Sequence, residues 1–371
     1  MSARVVPPAK DNTLFTPGPL TTSMTVKQAM LRDLGSRDYA FIEAVSEIRR
    51  DLLELGAVDS DAYAAIPMQG SGTFAIESVF SSTVPPGGKV LIAQNGTYGK
   101  RMAAMCEILK IGHVRVAFPE NQVVDPLAIA HKLEQDPDLS HVAVVHCETT
   151  TGIMNPVEEL GGVVRAAGRL YVVDAMSSFG AVPLNLAKSN IDYLVSSANK
   201  CIEGVPGFAF VIARREAIEA TEGYARSLSF DLLAQLQGLE NDGQFRFTPP
   251  THVLLAFRQA LRELHDEGGV AGRAERYRSN HEILVRGMRR LGFQEYLDPG
   301  LQGYIITSFR YPELEHFDFD EFYGRLNTQG WTIYPGRVSA EDCFRIGTIG
   351  RIYPRDIENL LLAIADVMRS L

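Results

Sequence analysis

The feature that most limits the fold of this chain is a series of short, apolar runs, each separated from the next by a stretch of helical periodicity. The runs fall at residues 90–93, 114–118, 142–146, 170–174, 193–196 and 208–213. They seldom alternate polar with apolar residues, which is the pattern of strands covered on both faces. Helical stretches at 73–82, 99–109, 126–133 and 157–167 lie between them. Doubly covered strands joined through helices build a mostly parallel, doubly wound α/β sheet, and such sheets take ligands at the carboxyl ends of their strands.

After Pro249 and Pro250 the pattern changes. Two long amphipathic helices are expected over 252–267 and 271–291, the second stopping at Gly292 as a helix C-terminus does. A smaller α+β unit follows, with strands at 304–309, 332–334 and 343–346 and helices at 319–330 and 354–369. The division expected is a large domain over residues 26–255 and a small C-terminal domain over 256–371. The acidic stretch 313–321 reads as a solvated loop and helix start.

Thirty-six Lys and Arg stand against 45 Asp and Glu, a net charge of −9 with no basic block, which argues against a nucleic-acid partner. Cys106, Cys147, Cys201 and Cys343 lie far apart without metal-ligand spacing, so neither a zinc site nor a disulfide framework is expected. Residues 1–11 lack the apolar core of roughly 7–15 residues that a secretory leader carries, and no apolar run reaches the length of about 18 that spans a bilayer. A cytoplasmic protein is expected.

Three segments bear chemistry. Ser71-Gly72-Thr73, after Gln69-Gly70 and before a helical run, puts backbone N–H groups and two hydroxyls at a helix start, a cradle for phosphate. A Ser or Thr there also serves as a plain N-cap. Asp174 ends an apolar run, where a desolvated carboxylate calls for a cation; a capping Asp in a βα loop is the simpler reading. Lys200 follows Ser196-Ser197-Ala198-Asn199, and burial among small residues lowers a lysine's pKa enough for it to bond an aldehyde, although most lysines are surface groups. Their order is more telling than any one of them. A phosphate loop, a strand-end acid and a lysine one strand later match the phosphate, pyridine nitrogen and aldehyde of pyridoxal 5'-phosphate.

The chain also resembles a known family. Ser71-Gly72-Thr73, Asn95-Gly96-Thr97-Tyr98-Gly99, His146-Cys147-Glu148-Thr149-Thr150-Thr151-Gly152, Val173-Asp174-Ala175-Met176-Ser177-Ser178 and Lys200 are similar to the class V aminotransferases of the fold-type I pyridoxal-phosphate superfamily. Within that class, Thr16-Pro17-Gly18-Pro19-Leu20-Thr21-Thr22, the segment from Cys201 to Gly207, Arg246-Phe247-Thr248-Pro249-Pro250-Thr251-His252 and Phe344-Arg345-Ile346-Gly347 resemble the 2-aminoethylphosphonate:pyruvate aminotransferases. The resemblance implies Lys200 as the lysine that bonds the cofactor and shuttles a proton, and Asp174 as partner of the pyridine N–H. It implies Tyr98 and Met176 on the two faces of the ring and Thr149 on its phenolic oxygen. The phosphate would rest on Ser71, Gly72, Thr73 and Asn199, with Thr248 arriving from a second subunit of a homodimer. Arg345 would grip the anionic substrate, although an arginine alternating with Phe344 and Ile346 also suits a structural salt bridge. Residues 1–25 would form an arm over the substrate site, with Gly18 and Thr21 touching substrate.

The activity implied is transamination of 2-aminoethylphosphonate with pyruvate; a phosphonoalanine or alanine:glyoxylate enzyme, or a binding protein on the same fold, are the alternatives. One segment departs from the pattern. Leu34 and Arg37 stand where that family carries aromatic bulk, and Arg37 either pairs with Asp38 in solvent or binds a second acidic group. His113 and His146 are expected to pack or hydrogen-bond locally, and Cys201 to fill buried space.

Overall fold

The computed structural model describes residues 11–314, 317–334 and 341–370. Residues 1–10 of the expected arm, part of the 313–321 stretch and the 335–340 segment lie outside the described residues. The α/β core is a seven-stranded sheet of β1 (Tyr63–Gly70), β2 (Lys89–Gln94), β3 (Gly112–Ala117), β4 (Leu139–Val145), β5 (Leu170–Asp174), β6 (Tyr193–Ser197) and β7 (Gly207–Arg214). Its spatial order is β1-β7-β6-β5-β4-β2-β3. The five strands from β6 to β3 are parallel, and β7 runs antiparallel to both β6 and β1. Helices Thr97–Ile108, Pro126–Gln135 and Val157–Ala166 make the crossovers. Parallel neighbours cannot be joined by a tight turn and need a crossover; three of these are helical, while β5 and β6 are linked through residues 175–192 by turns alone.

Two departures from expectation have local causes. β1 contains Pro67, which removes a ladder donor, and a strand can carry that only where one side needs none; β1 is accordingly the last strand at its end of the sheet. At the other end, β3 alternates exposed with half-buried residues, so it is not covered on both faces as expected. The Tyr39–Leu55 helix buries Phe41, Ala44, Val45, Ile48 and Leu52 on one stripe against the large core.

The Thr251–Asp266 helix turns Leu254, Phe257, Leu261 and Leu264 into that same core. The expected division at residue 255 therefore falls inside a helix belonging to the large unit. Gly268, at a left-handed φ of 96°, separates it from the Gly269–Arg290 helix. The small unit pairs Ile306–Arg310 with Cys343–Gly347 in antiparallel register, Ser308 opposite Arg345, over a core rich in phenylalanine. The arm is stitched to this unit. Thr13–Leu14 lies parallel to Trp331–Thr332, and Phe15 is fully buried among Phe344, Ile346 and Ile352. Among the described residues no helix is long and apolar enough to cross a membrane.

Removing the Phe15 ring opens a cavity in the small core. Phe15→Ala is expected to lower stability by about 3–5 kcal/mol, read by denaturant unfolding, with protease cleavage appearing first in the arm.

Candidate active site

β1, β2, β4, β5 and β6 all end at the same edge of the sheet, because the two reversals at β7 return β1 to the direction of the parallel set. The residues that follow those ends are Ser71-Gly72-Thr73, Asn95 to Tyr98, His146 to Thr151, Ala175-Met176 and Ala198 to Lys200. One cavity at this edge is lined by Ser71, Gly72, Thr73, Tyr98, Asp174, Met176, Asn199 and Lys200, together with Arg101 and Ser177. The cavity wall therefore draws on four separate strand ends, those of β1, β2, β5 and β6.

Asp174 is the last residue of β5, in register with Val145 on one side and Val195 on the other. Its carboxylate is almost fully buried and accepts a hydrogen bond from the Met176 N–H at 3.0 Å. Burial pushes its pKa up to about 6, against the pull of that bond and of the charges on Lys200 and Arg101. A cation reaching it would be bound strongly, since the carboxylate's lost hydration is otherwise uncompensated.

Lys200 lies three residues beyond the end of β6. Burial lowers its pKa to about 8. Its Nζ donates to the carbonyl of Pro17 at 2.8 Å and to that of Gly18 at 3.5 Å. Behind it, the turn that carries Lys200 is fixed by a buried ionic network. Glu203, buried at a left-handed φ of 64°, accepts from Tyr277 Oη at 2.6 Å and Arg276 Nη2 at 2.7 Å. Arg273 has no exposed surface; it donates to the Cys201 carbonyl and to Glu267. Arg276 Nη1 reaches on to the carbonyls of Gly350 and Ile352 in the small unit. The Cys201 thiol is buried and pushed up to about 12, which leaves it unreactive.

The Gly72–Thr83 helix begins without a side-chain bond from Ser71 at its cap, so its first N–H groups remain available to an anion. At Gly72 a Cβ would meet the Met176 thioether, which would have to move aside. Arg101 Nη1 donates to Thr73 Oγ1 at 3.2 Å, and its guanidinium lies 5.0 Å over the Tyr98 ring. Burial raises the pKa of the Tyr98 hydroxyl, against the pull of the Thr149 side chain beside it. An anion cradle, a carboxylate with no cation bonded to it among the described residues and a partly neutral lysine make a donor set that fits pyridoxal phosphate.

The remaining expected residues sit around this cavity rather than in its wall. Gly18 abuts Lys200. The Thr21 hydroxyl accepts the Leu14 N–H at 2.8 Å and so closes the arm upon itself. Arg345 Nη1 donates to the Thr149 carbonyl at 2.8 Å, and its guanidinium stacks 4.6 Å over Tyr334. Its buried Nε has no hydrogen-bond partner among the described residues. Thr248 is exposed, its carbonyl held by Gln69, outside the cavity wall of its own chain. Leu34 packs partly buried on the large core, and Arg37 is exposed. The pairing of Arg37 with Asp38 does not form. The Asp38 carboxylate instead turns back onto the Gly35 N–H at 2.6 Å.

Two residues of the site were given no role by sequence reasoning. Arg101 stands one helical turn from Tyr98 and so shares its face. Glu148 follows the end of β4 and is fully buried, accepting from Tyr98 N–H and from the Thr150 hydroxyl and N–H. Burial pushes it up to about 7. The strand-end logic that singled out Asp174 applies to Glu148 equally. His146 is buried, as expected.

A family model described as aminotransferase class-V matches residues 22–345. A 2-aminoethylphosphonate–pyruvate transaminase from Salmonella heidelberg is 52% identical over 362 residues, covering 96% of this chain and 97% of that one. Among solved structures, an alanine–glyoxylate aminotransferase from Nostoc sp. superposes with a TM-score of 0.89 at 26% identity, covering 98% and 96% of the two chains. A ureidoglycine–glyoxylate aminotransferase from Bacillus subtilis gives 0.88 at 24%, covering 99% and 95%, a likeness of fold.

The lysine's depressed pKa has a direct chemical readout, because only the free amine attacks an aldehyde. Cofactor-free protein treated with a small aldehyde and a mild reductant is expected to be modified first at Lys200. The rate should rise with pH through about 8 and level off above it, followed by peptide mapping.

Proposed function

The chain belongs to the class V aminotransferase family, and from that membership we propose that it transfers the amino group of 2-aminoethylphosphonate to pyruvate, giving phosphonoacetaldehyde and L-alanine. The observation that carries this reading is the 52% identity, over nearly the whole of both chains, to a relative of that name. The gathering of Lys200, Asp174, Ser71, Gly72 and Thr73 around one cavity supports it.

Pyridoxal phosphate, when bound, supplies an aldehyde to take up the amino group and a ring to accept the electron pair released at the donor carbon. The chain's own residues supply the rest. Lys200 Nζ, held near neutrality by burial, is the base that takes the proton from the donor carbon and the acid that returns it. Asp174, buried at the end of β5, holds the pyridine N–H and is itself kept ionised by that charge. Ser71, Gly72, Thr73 and Asn199 hold the phosphate, Tyr98 and Met176 bracket the ring, and Thr149 meets its phenolic oxygen. Arg345, its guanidinium held over Tyr334 and on the Thr149 carbonyl through Nη1, offers a planar fork whose remaining N–H groups suit both the phosphonate of the donor and the carboxylate of pyruvate. The arm, through Gly18 and Thr21, closes the substrate side.

We further propose a cytoplasmic homodimer in which Thr248 completes the partner's phosphate site. Its exposed position beside Phe247, which is 44% exposed, supports this.

The test is the absorbance of cofactor-loaded protein before and after 2-aminoethylphosphonate is added without a keto acid. Loss of the yellow colour of the lysine-bound cofactor is the expected outcome. Colour that ignores this amine but is discharged by alanine or phosphonoalanine would overturn the donor assignment. Lys200→Ala should lower kcat by about 10²–10⁴. Arg345→Lys should raise KM for pyruvate by roughly tenfold or more while changing kcat less, since one charged hydrogen bond is worth about 1.5–3 kcal/mol.

A further inference from the structure

The arm was expected to touch substrate, yet its closest contact at the cavity is with the lysine. Lys200 Nζ donates to the Pro17 and Gly18 carbonyls at 2.8 and 3.5 Å. Gly18 has a φ of 116°, and a Cβ there would stand 2.7 Å from both Cδ and Nζ of Lys200 and 2.8 Å from the Asn199 carbonyl. Only glycine permits so close an approach in that backbone region. We propose that the carbonyls of Pro17 and Gly18 are positioning groups for Lys200, receiving its Nζ whenever that amine is not bonded to the cofactor. This rests on the reading of Lys200 as the cofactor lysine.

The acceptors hold their place because arm and lysine are fixed to one scaffold from opposite sides. On the arm side, Leu14 N–H bonds the Thr21 hydroxyl, Gly347 N–H bonds the Phe15 carbonyl at 2.9 Å, and Arg351 N–H bonds the Thr21 carbonyl at 2.7 Å. On the lysine side, Glu203 is bound by Arg276 and Tyr277, and those two side chains also bond Gly350, the neighbour of Arg351. The contacts form a closed ring from Lys200 through Glu203 and Gly350 to Thr21 and Gly18, and back to Lys200.

Such a ring suits a group that must alternate between amine and ammonium. Two fixed acceptors take two N–H bonds and leave the third position of the nitrogen, lone pair or proton, directed away from the arm. The arm also covers the lysine, and burial is the first cause of its lowered pKa. The other groups that act on its charge, Asp174, Arg101 and Cys201, all belong to the large unit and remain when the arm is displaced. Within the arm, Asp11 is paired with Lys27 at 3.2 Å.

The experiment follows capture of pyridoxal phosphate by cofactor-free protein, by absorbance, as a function of pH. Wild type should show a midpoint near about 8. In Gly18→Ala, water gains access to Nζ and the midpoint should rise by about one unit, slowing capture at pH 7 about tenfold. The high-pH plateau should hold, which a generally damaged site would not allow. Thr21→Val, which loses only the bond that closes the arm, carries the same prediction in a smaller shift and stands in if Gly18→Ala does not fold. A folded variant with an unmoved midpoint overturns the proposal alone. Wild type that captures no better than Lys200→Ala overturns both this proposal and the function from which it starts.

Discussion

Removing water from two opposite charges at one edge of a sheet is the constraint on which the rest of the molecule depends. Asp174 and Lys200 are each pushed toward neutrality by burial, the carboxyl upward and the amine downward. Neither shift would arise on a surface. The parallel strands deliver both groups to the same edge, the helices seal the faces, and the arm closes over the lysine. Packing in this protein is therefore directed as much at excluding solvent from a few polar atoms as at burying apolar area.

The same constraint explains which parts were legible in the sequence. Strands enclosed on both faces leave a continuous apolar signature, so β2, β4, β5, β6 and β7 could be read directly. β1 could not, because Pro67 breaks the pattern, and only knowledge of its place at the sheet's edge makes a proline acceptable there. β3 was read as covered on both faces although it alternates in exposure, since apolar composition alone does not distinguish an edge strand from an inner one. At the site, residues adjacent to strand ends were visible by position. Arg101 was not, because it enters from within a helix. Glu148 lies three residues past the end of β4, in a polar run whose composition does not reveal that it is buried.

Recognition of the anionic substrate rests on a different balance. Arg345 is held on the Thr149 carbonyl and on the Tyr334 ring, so its orientation comes from neutral partners rather than from a carboxylate. A guanidinium neutralised by a buried acid would bind an incoming anion only by breaking that pair. Held this way, it keeps its full charge for the ligand. Arg37 is exposed and does not make its expected pairing to Asp38.

The ionic network behind Lys200 has a mechanical consequence. Glu203 sits in the large unit, and Arg276 joins it to the carbonyls of Gly350 and Ile352 in the small one. A swing that opened the seam between them would break the bonds of Arg276 to the Gly350 and Ile352 carbonyls, each worth about 1.5–3 kcal/mol as a hydrogen bond to a charged group. A motion that leaves these bonds intact carries the turn behind Lys200 together with the Gly350–Ile352 segment, so that segment and the lysine share one anchor.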